Sequence, residues 1–279
     1  MISQKKNKAT LLMMAKQKND NLLTYGDHLE VLRKMLFKVL GVSIIFAIVI
    51  FCYKDITWDL LLAPSEYDFI TYRWIEDFIH LLGIQGFHFE KFEVELIATD
   101  LSSQFMTHVT TAIYLGLLCA SPYILYELFK FISPALLENE KKYSTQVLFI
   151  VYALFILGVM MSYFILFPIS FRFLGTYNVA EKVSSLISLN SYISTFTSLT
   201  LLMGVVFQLP IVIFILAKKD ILSFRLLAKY RKVALVIIAA VSAIITPPDI
   251  MTCILVTLPL YALYECSIWI AKKVNRTDG

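Results

Sequence analysis

The stretch Gln146–Phe171, QVLFIVYALFILGVMMSYFILFPISF, contains no Lys, Arg, Asp or Glu. It is longer than the roughly 20 apolar residues that a helix needs to cross the hydrocarbon core of a bilayer, where backbone groups must bond within the segment. The stretches 104–126 and 191–217 are equally free of charge, and Leu36–Tyr53 is interrupted only by Lys38 near its start. These four stretches predict four membrane-spanning helices.

Two shorter apolar stretches follow, 233–246 and 250–264, with Thr246-Pro247-Pro248-Asp249 between them. They predict a hairpin of two more spans, of which the first would be roughly 21 Å long in a core of about 30 Å. We expect the bilayer to be thinned or partly unfilled there. The composition agrees, since 58% of residues are hydrophobic and 16% are charged, against about 25% charged in soluble domains. The fold class is therefore all-α, a polytopic membrane protein with six transmembrane helices.

The Lys and Arg residues predict the orientation of these spans. Nineteen of them lie in 1–35, 129–143, 218–232 and the tail after Ala271, whereas five lie in the alternate loops. Because cytoplasmic loops carry the excess of Lys and Arg, we expect both termini in the cytoplasm. The domains are then a cytoplasmic segment 1–35, a transmembrane domain 36–271 and a cytoplasmic tail 272–279. The net charge of +4 reflects this topology and does not indicate a nucleic-acid partner.

The first external loop, 54–103, contains an amphipathic pattern. Apolar residues recur every four positions and acidic residues fall on the other side, which predicts a helix. We expect it to lie along the outer membrane–water boundary or to cap the bundle. The apolar residues are Ile70, Trp74, Ile75, Phe78, Ile79 and Leu82, and the acidic ones are Glu66, Asp68, Glu76 and Asp77.

Four prolines lie inside or near the ends of spans: Pro122, Pro168, Pro210 and Pro259. Each removes a backbone donor and bends its helix. Helices bent in this way do not form a tight cylinder. We therefore expect a curved, concave bundle.

No signature of an enzyme is present. HExxH, GxSxG, Walker A and GxGxxG motifs are all missing from the sequence. The four cysteines lie in or beside apolar spans without a CxxC pair, which is typical of small buried hydrophobic residues. We expect neither catalysis nor a metal or other cofactor. A small-molecule or ion secondary transporter is the alternative function, although the charge-free centres of spans two to four argue against it.

Acidic residues lie on the cytoplasmic side, where Lys and Arg normally dominate. Glu30 lies in His28-Leu29-Glu30-Val31-Leu32-Arg33, just before the first span, and Glu138 and Glu140 lie in the first internal loop. These carboxylates indicate a receptor for a cationic ligand. The alternative is ordinary charge balance, with Glu140 paired to Lys141 or Arg33.

Motifs along nearly the whole chain resemble the TatC family, the receptor subunit of the twin-arginine protein translocase. Two positions depart from the family pattern: Val31 stands where the N-terminal signature has Glu, and Gln208 stands where the fourth span commonly has Glu. The matching segments, in order, are His28–Arg33, Ala63-Pro64, Ile97–Asp100, Ser121–Tyr126 with Pro122, Phe129–Pro134, Glu140–Lys142, Phe167-Pro168, Gly204–Pro210, Thr246-Pro247-Pro248-Asp249 and Leu258–Glu265.

The resemblance implies a core subunit that exports folded proteins across the bacterial cytoplasmic membrane with the proton-motive force. It implies that Glu140, Glu30 and Glu138, with Arg33 and His28, bind the arginine pair of a signal peptide. It also implies a multimeric complex with single-span partners of the TatA and TatB type, contacted through Gln208, Pro210 and Tyr192. Structural roles fall to Pro64, Pro122, Pro134, Pro168, Pro247, Pro248 and Asp249.

Overall fold

The computed structural model describes residues 25–84, 92, 94–132, 144–177, 186–219, 221–246 and 249–277. Helices make up most of this part of the chain. They are α1 (Tyr25–Cys52), α2 (Lys54–Leu62), α3 (Ile70–Leu81), α4 (Ser103–Cys119), α5 (Ser121–Ile132), α6 (Ser144–Met161), α7 (Phe167–Thr176), α8 (Leu189–Val206), α9 (Leu209–Lys218), α10 (Phe224–Lys229), α11 (Arg231–Ile245) and α12 (Ile250–Thr277).

Shorter elements connect these helices. A 3₁₀ turn, Ala63–Ser65, follows α2, and a π-helical turn, Ser162–Leu166, joins α6 to α7. Strand β1 (Leu96–Ile97) pairs in parallel with β2 (Ile187–Ser188), which ties the segment before α4 to the segment before α8.

The membrane spans agree with the sequence pattern. Four stretches are long and apolar enough to cross a bilayer: Leu29–Cys52, Gln146–Thr176, Leu189–Lys218 and Ile250–Val274. Helices α4 and α5 are together long and apolar enough for a fifth span, with a 53° bend between them. Helix α11 corresponds to the short fifth stretch and has only 15 residues. The prediction of an all-α polytopic membrane protein is confirmed.

Three of the four prolines begin a new helical segment. Pro122 follows the bend between α4 and α5, Pro168 follows the π-helical turn, and Pro210 follows the break between α8 and α9. In the first turn of a helix a missing N–H costs little, because no intrahelical acceptor faces it. Pro259 instead lies inside the continuous helix α12.

Close helix crossings hold the bundle together. Helix α1 packs along α4, α6 along α8, and α9 along α12. At Gly116 an added Cβ would lie 2.7 Å from the backbone nitrogen of Ala47, and at Gly158 it would lie 2.5 Å from the carbonyl oxygen of Met203. Small residues at such crossings let backbones approach closely, which is how helices gain contact area inside a bilayer.

At the end of the bundle that carries α2 and α3, three tyrosine hydroxyls donate to backbone carbonyls of other segments. Tyr192 donates to the Leu61 carbonyl at 2.7 Å, Tyr163 donates to the Leu60 carbonyl at 2.7 Å, and Tyr72 donates to the Pro168 carbonyl at 2.9 Å. The first two carbonyls belong to the last turn of α2, where the helix supplies no donor of its own. Burial raises the pKa of the Tyr72 hydroxyl, which keeps it protonated as a donor.

Helix α3 confirms the amphipathic helix that the sequence predicts, but its buried contacts are polar. Thr71 is buried and its hydroxyl donates to the carbonyl of Phe164. In a regular α-helix that carbonyl would accept from residue 168, which is a proline and has no N–H. The apolar residues Ile70, Trp74 and Phe78 are exposed. Their exposure is consistent with a helix that lies at the membrane–water boundary.

Candidate functional site

The N-terminal part of α1 presents charged side chains to solvent. Glu30 and Arg33 are exposed, and Glu30 forms an ion pair with Lys34 at 2.8 Å, one helical turn away. An exposed pair of this kind contributes only about 0–1 kcal/mol, so an incoming guanidinium group can replace the lysine at little cost. His28 lies in the same helix, but its side chain is outside the described residues.

The loop that carries Glu138, Glu140 and Pro134 is residues 133–143, which lie outside the described residues. Its flanking helices are described: α5 precedes it and packs against both α1 and α6. The end of α5 at Phe131 lies beside the helix that carries Glu30, since Phe131 and Val31 line one cavity. The roles of these residues in binding remain predictions.

Glu127 on α5 is a buried carboxylate that the sequence analysis missed. Its side chain is 10% exposed, and Lys38 of α1 lies 3.7 Å from its Oε1 atom. The Tyr123 hydroxyl donates to the same oxygen at 3.0 Å. The charge-free stretch 104–126 ends one residue before Glu127, so the hydropathy pattern assigns Glu127 no role. The available signal was Lys38, the single charge in the first span, which requires a partner.

A cavity lies between α1 and α5 beside this ion pair, and we call it the α1–α5 cavity. Its volume is about 250 Å³. Val31, which stands where the N-terminal signature of the TatC family has Glu, lines this cavity. The lining residues are Val31, Lys34, Met35, Lys38, Glu127, Lys130 and Phe131.

A larger, apolar groove of about 690 Å³ is lined by residues of α1, α4, α5, α6, α8, α9, α11 and α12. Ser121 and Gln208 are the polar side chains among its lining residues. Its size falls in the range of ligand-binding clefts, and its lining suits an apolar helix. It is lined by Val39, Leu117, Ser121, Ile124, Leu125, Leu128, Phe155, Leu201, Val205, Val206, Gln208, Leu209, Val212, Ile237, Ile238, Val241 and Leu260.

The three residues expected to contact a partner helix have different environments. Gln208 is half-buried, and its amide nitrogen donates to the carbonyls of Val151 at 3.2 Å and Gly204 at 3.4 Å. Tyr192 is 2% exposed and Pro210 is also buried. The chain's own helices cover the side chains of Tyr192 and Pro210, and their contact with a partner helix stays a prediction. Gln208 faces the apolar groove and remains a candidate.

Several residues with expected structural roles have clear backbone contacts. The Oδ1 atom of Asp249 accepts from the backbone nitrogen of Thr252 at 2.6 Å, which caps the start of α12. Pro64 is buried in the 3₁₀ turn. Pro247 and Pro248 lie outside the described residues. At the other end of this hairpin, Arg231 binds Glu265 through two bonds of 2.9 Å.

Within the part of the chain that the structure describes, no three His, Cys, Asp or Glu residues are placed to hold a metal ion. The bent spans and the apolar groove define the chain as a polytopic helical membrane protein.

Comparisons with known proteins identify the family. The family model of the Sec-independent protein translocase protein (TatC) matches residues 27–259, and the chain belongs to this family. The TatC protein of Blattabacterium sp. subsp. Periplaneta americana is 36% identical over 270 residues, which cover 94% of this chain and 99% of that protein. The TatC protein of Carboxydothermus hydrogenoformans is 32% identical, with 92% and 96% covered.

A solved structure is similar over most of its length. The crystal structure of the twin arginine translocase receptor TatC gives a TM-score of 0.72 at 30% identity, and the match covers 89% of this chain and 99% of that one. The similarity therefore includes the arrangement of the spans as well as the sequence motifs.

Proposed function

We propose that this chain is the receptor and core subunit of a twin-arginine translocase, which binds the signal peptides of folded precursors and exports them across the membrane. The observation that carries this proposal is the apolar groove of about 690 Å³, whose polar lining side chains are Ser121 and Gln208. A signal peptide has a charged segment followed by an apolar one. The groove takes the apolar segment, and the carboxylates beside it take the charged one.

The arginine pair of the signal binds the cytoplasmic carboxylates. Guanidinium groups offer planar, paired donors that match carboxylate oxygens. Glu140 is the main carboxylate, with Glu30 as its helper and Glu138, Arg33 and His28 around them. Two carboxylates that converge on two guanidinium groups contribute more than one exposed ion pair does.

Single-span partners of the TatA and TatB type join at the groove, where Gln208 is the polar contact. The amide exchanges its bonds to Val151 and Gly204 for bonds to the partner. Hydrogen bonds of this kind in membranes contribute about 0.6 kcal/mol on average, so either arrangement is accessible. Both termini face the cytoplasm, and the proton-motive force drives transport. The apolar lining argues against the alternative of a small-molecule or ion transporter.

The test is photocrosslinking of a twin-arginine signal peptide to the protein in membrane vesicles. We expect Glu140→Ala to abolish or severely weaken crosslinking without loss of the protein from the membrane, and Glu30→Ala to weaken it less. Val31→Glu should partly restore crosslinking in the Glu30→Ala background, because it returns a carboxylate to the same turn of α1. A peptide with Lys-Lys in place of Arg-Arg is the control. Equal crosslinking of both peptides to the unaltered protein would refute the proposed function.

A further inference from the structure

We propose that the α1–α5 cavity is a binding site for the headgroup of an anionic glycerophospholipid from the leaflet on the side of the N-terminus. This inference goes beyond the proposed receptor function, because it concerns the lipid that the protein retains and does not depend on any signal peptide.

Charge is the first argument. Lys34, Lys38 and Lys130 line the cavity together with a single carboxylate, Glu127. Lys34 also pairs with Glu30 at 2.8 Å, so among these described residues three ammonium groups and two carboxylates leave a surplus of one positive charge at the cavity. Basic pockets between transmembrane helices attract anionic lipid headgroups, and each Lys near the surface contributes about a fivefold gain in affinity.

The position of Lys38 is the second argument. Its side chain is 56% exposed, and its Nζ atom lies 3.7 Å from Oε1 of Glu127. That separation is longer than the 2.7–2.9 Å or so of a hydrogen-bonded ion pair. Glu127 therefore holds the ammonium group in the cavity without using its full hydrogen-bonding capacity. The Tyr123 hydroxyl, which donates to the same carboxylate oxygen, fixes the Glu127 side chain from its own helix.

The shape and depth of the cavity are the third argument. Its volume of about 250 Å³ corresponds to about eight water molecules of liquid, which is room for a phosphodiester with its glycerol carbons. Val31, Met35 and Phe131 give the cavity an apolar wall beside the lysines. The apolar run of the first span starts at Leu36. The cavity therefore lies where lipid headgroups meet acyl chains.

The experiment uses the full chain purified in a neutral detergent. Phosphatidylglycerol or phosphatidylcholine with the same acyl chains is titrated in, and the bound lipid is measured by native mass spectrometry. We expect selective retention of phosphatidylglycerol. The double variant Lys38→Met, Lys130→Met should bind it about 25-fold more weakly, at about fivefold for each ammonium group. The matched control is Lys232→Met, which removes an exposed basic residue outside the cavity and should leave binding unchanged.

Glu127→Gln separates this proposal from the opposite one, in which Glu127 receives a cationic peptide. Removal of the carboxylate should tighten phosphatidylglycerol binding, because it releases Lys38 and removes a like charge. If the double variant does not elute as a single folded species, Lys130→Met alone provides the test, with a fivefold loss expected. Equal retention of the two lipids, or unchanged selectivity in the lysine variants, would overturn the proposal. Displacement of the lipid by an equal concentration of glycerol phosphate would assign the cavity to free phosphate and also overturn it.

Discussion

The hydroxyl of Tyr192 is expected to stabilise the fold measurably, and Tyr192→Phe removes only that hydroxyl. The ring packs edge-on against Phe167 and Phe171, each with a centroid separation of 5.0 Å, and phenylalanine keeps both contacts. The hydroxyl donates at 2.7 Å to the carbonyl of Leu61, a residue that is 1% exposed. Without the hydroxyl, the carbonyl of Leu61 stays buried and has lost its donor.

The expected cost follows from that burial. A buried group left without its partner costs about 1–3 kcal/mol, while hydrogen bonds in membrane proteins reach about 1.7 kcal/mol at most in direct measurements. We therefore expect Tyr192→Phe to lower the free energy of unfolding by about 1.5 kcal/mol. Tyr163→Phe is the matched control, because it removes a bond of the same 2.7 Å length to the carbonyl of Leu60. Leu60 is 55% exposed, so water can replace the lost donor and the cost should be about 0.5 kcal/mol.

The measurement is reversible unfolding in mixed micelles with increasing sodium dodecyl sulfate, followed by the fluorescence of the three tryptophans. Crosslinking of a twin-arginine peptide should be unchanged in Tyr192→Phe, because the lost hydroxyl donates to a carbonyl within the chain. A cost for Tyr163→Phe equal to or larger than that for Tyr192→Phe would refute the argument from burial.

Three further predictions concern topology, assembly and packing. In a variant without the four native cysteines, an impermeant thiol reagent added outside should label Glu66→Cys and leave Ser223→Cys unlabelled; the reverse pattern would contradict the Lys and Arg bias. Gln208→Leu should reduce copurification of single-span partners while the protein stays inserted, and unchanged copurification would leave only its bonds within the chain. Gly116→Ala places a Cβ 2.7 Å from backbone and should destabilise the fold by about 1–3 kcal/mol, measured as for Tyr192. Gly41→Ala, with no atom within 4 Å, is its control and should cost nothing.

The spans were predictable because the requirement that creates them is local. A helix such as Gln146–Thr176 satisfies its backbone within the segment, so its sequence alone reveals it. The short α11 could be anticipated for the same reason, because Arg231 and Lys232 before it and Pro247-Pro248 after it limit the length of the apolar stretch.

Contacts between helices could not be predicted from the sequence. The pattern of α3 predicted a helix, but it could not show that Thr71 makes a buried contact. The carbonyl of Phe164, to which Thr71 donates, comes from a different span. Glu127 gained significance only from Lys38, which is distant along the chain. Likewise, the position of Tyr192 in the apolar stretch 191–217 cannot show whether its side chain faces a partner or the core. The positions of Glu138 and Glu140 stay predictions, because they lie outside the described residues.

The hydrogen bonds of three tyrosine hydroxyls affect how easily each end of the bundle deforms. Tyr72, Tyr163 and Tyr192 fasten α2, α3 and two spans to one another through buried or well-placed carbonyls. At the opposite ends, ion pairs such as Arg231 with Glu265 are partly open to water and exchange partners readily. We therefore expect the bundle to be stiffer at the end of the tyrosine bonds than at the end of the Arg231–Glu265 ion pair. We expect the groove to widen from the end of the N-terminus while the end that carries α2 and α3 keeps its shape.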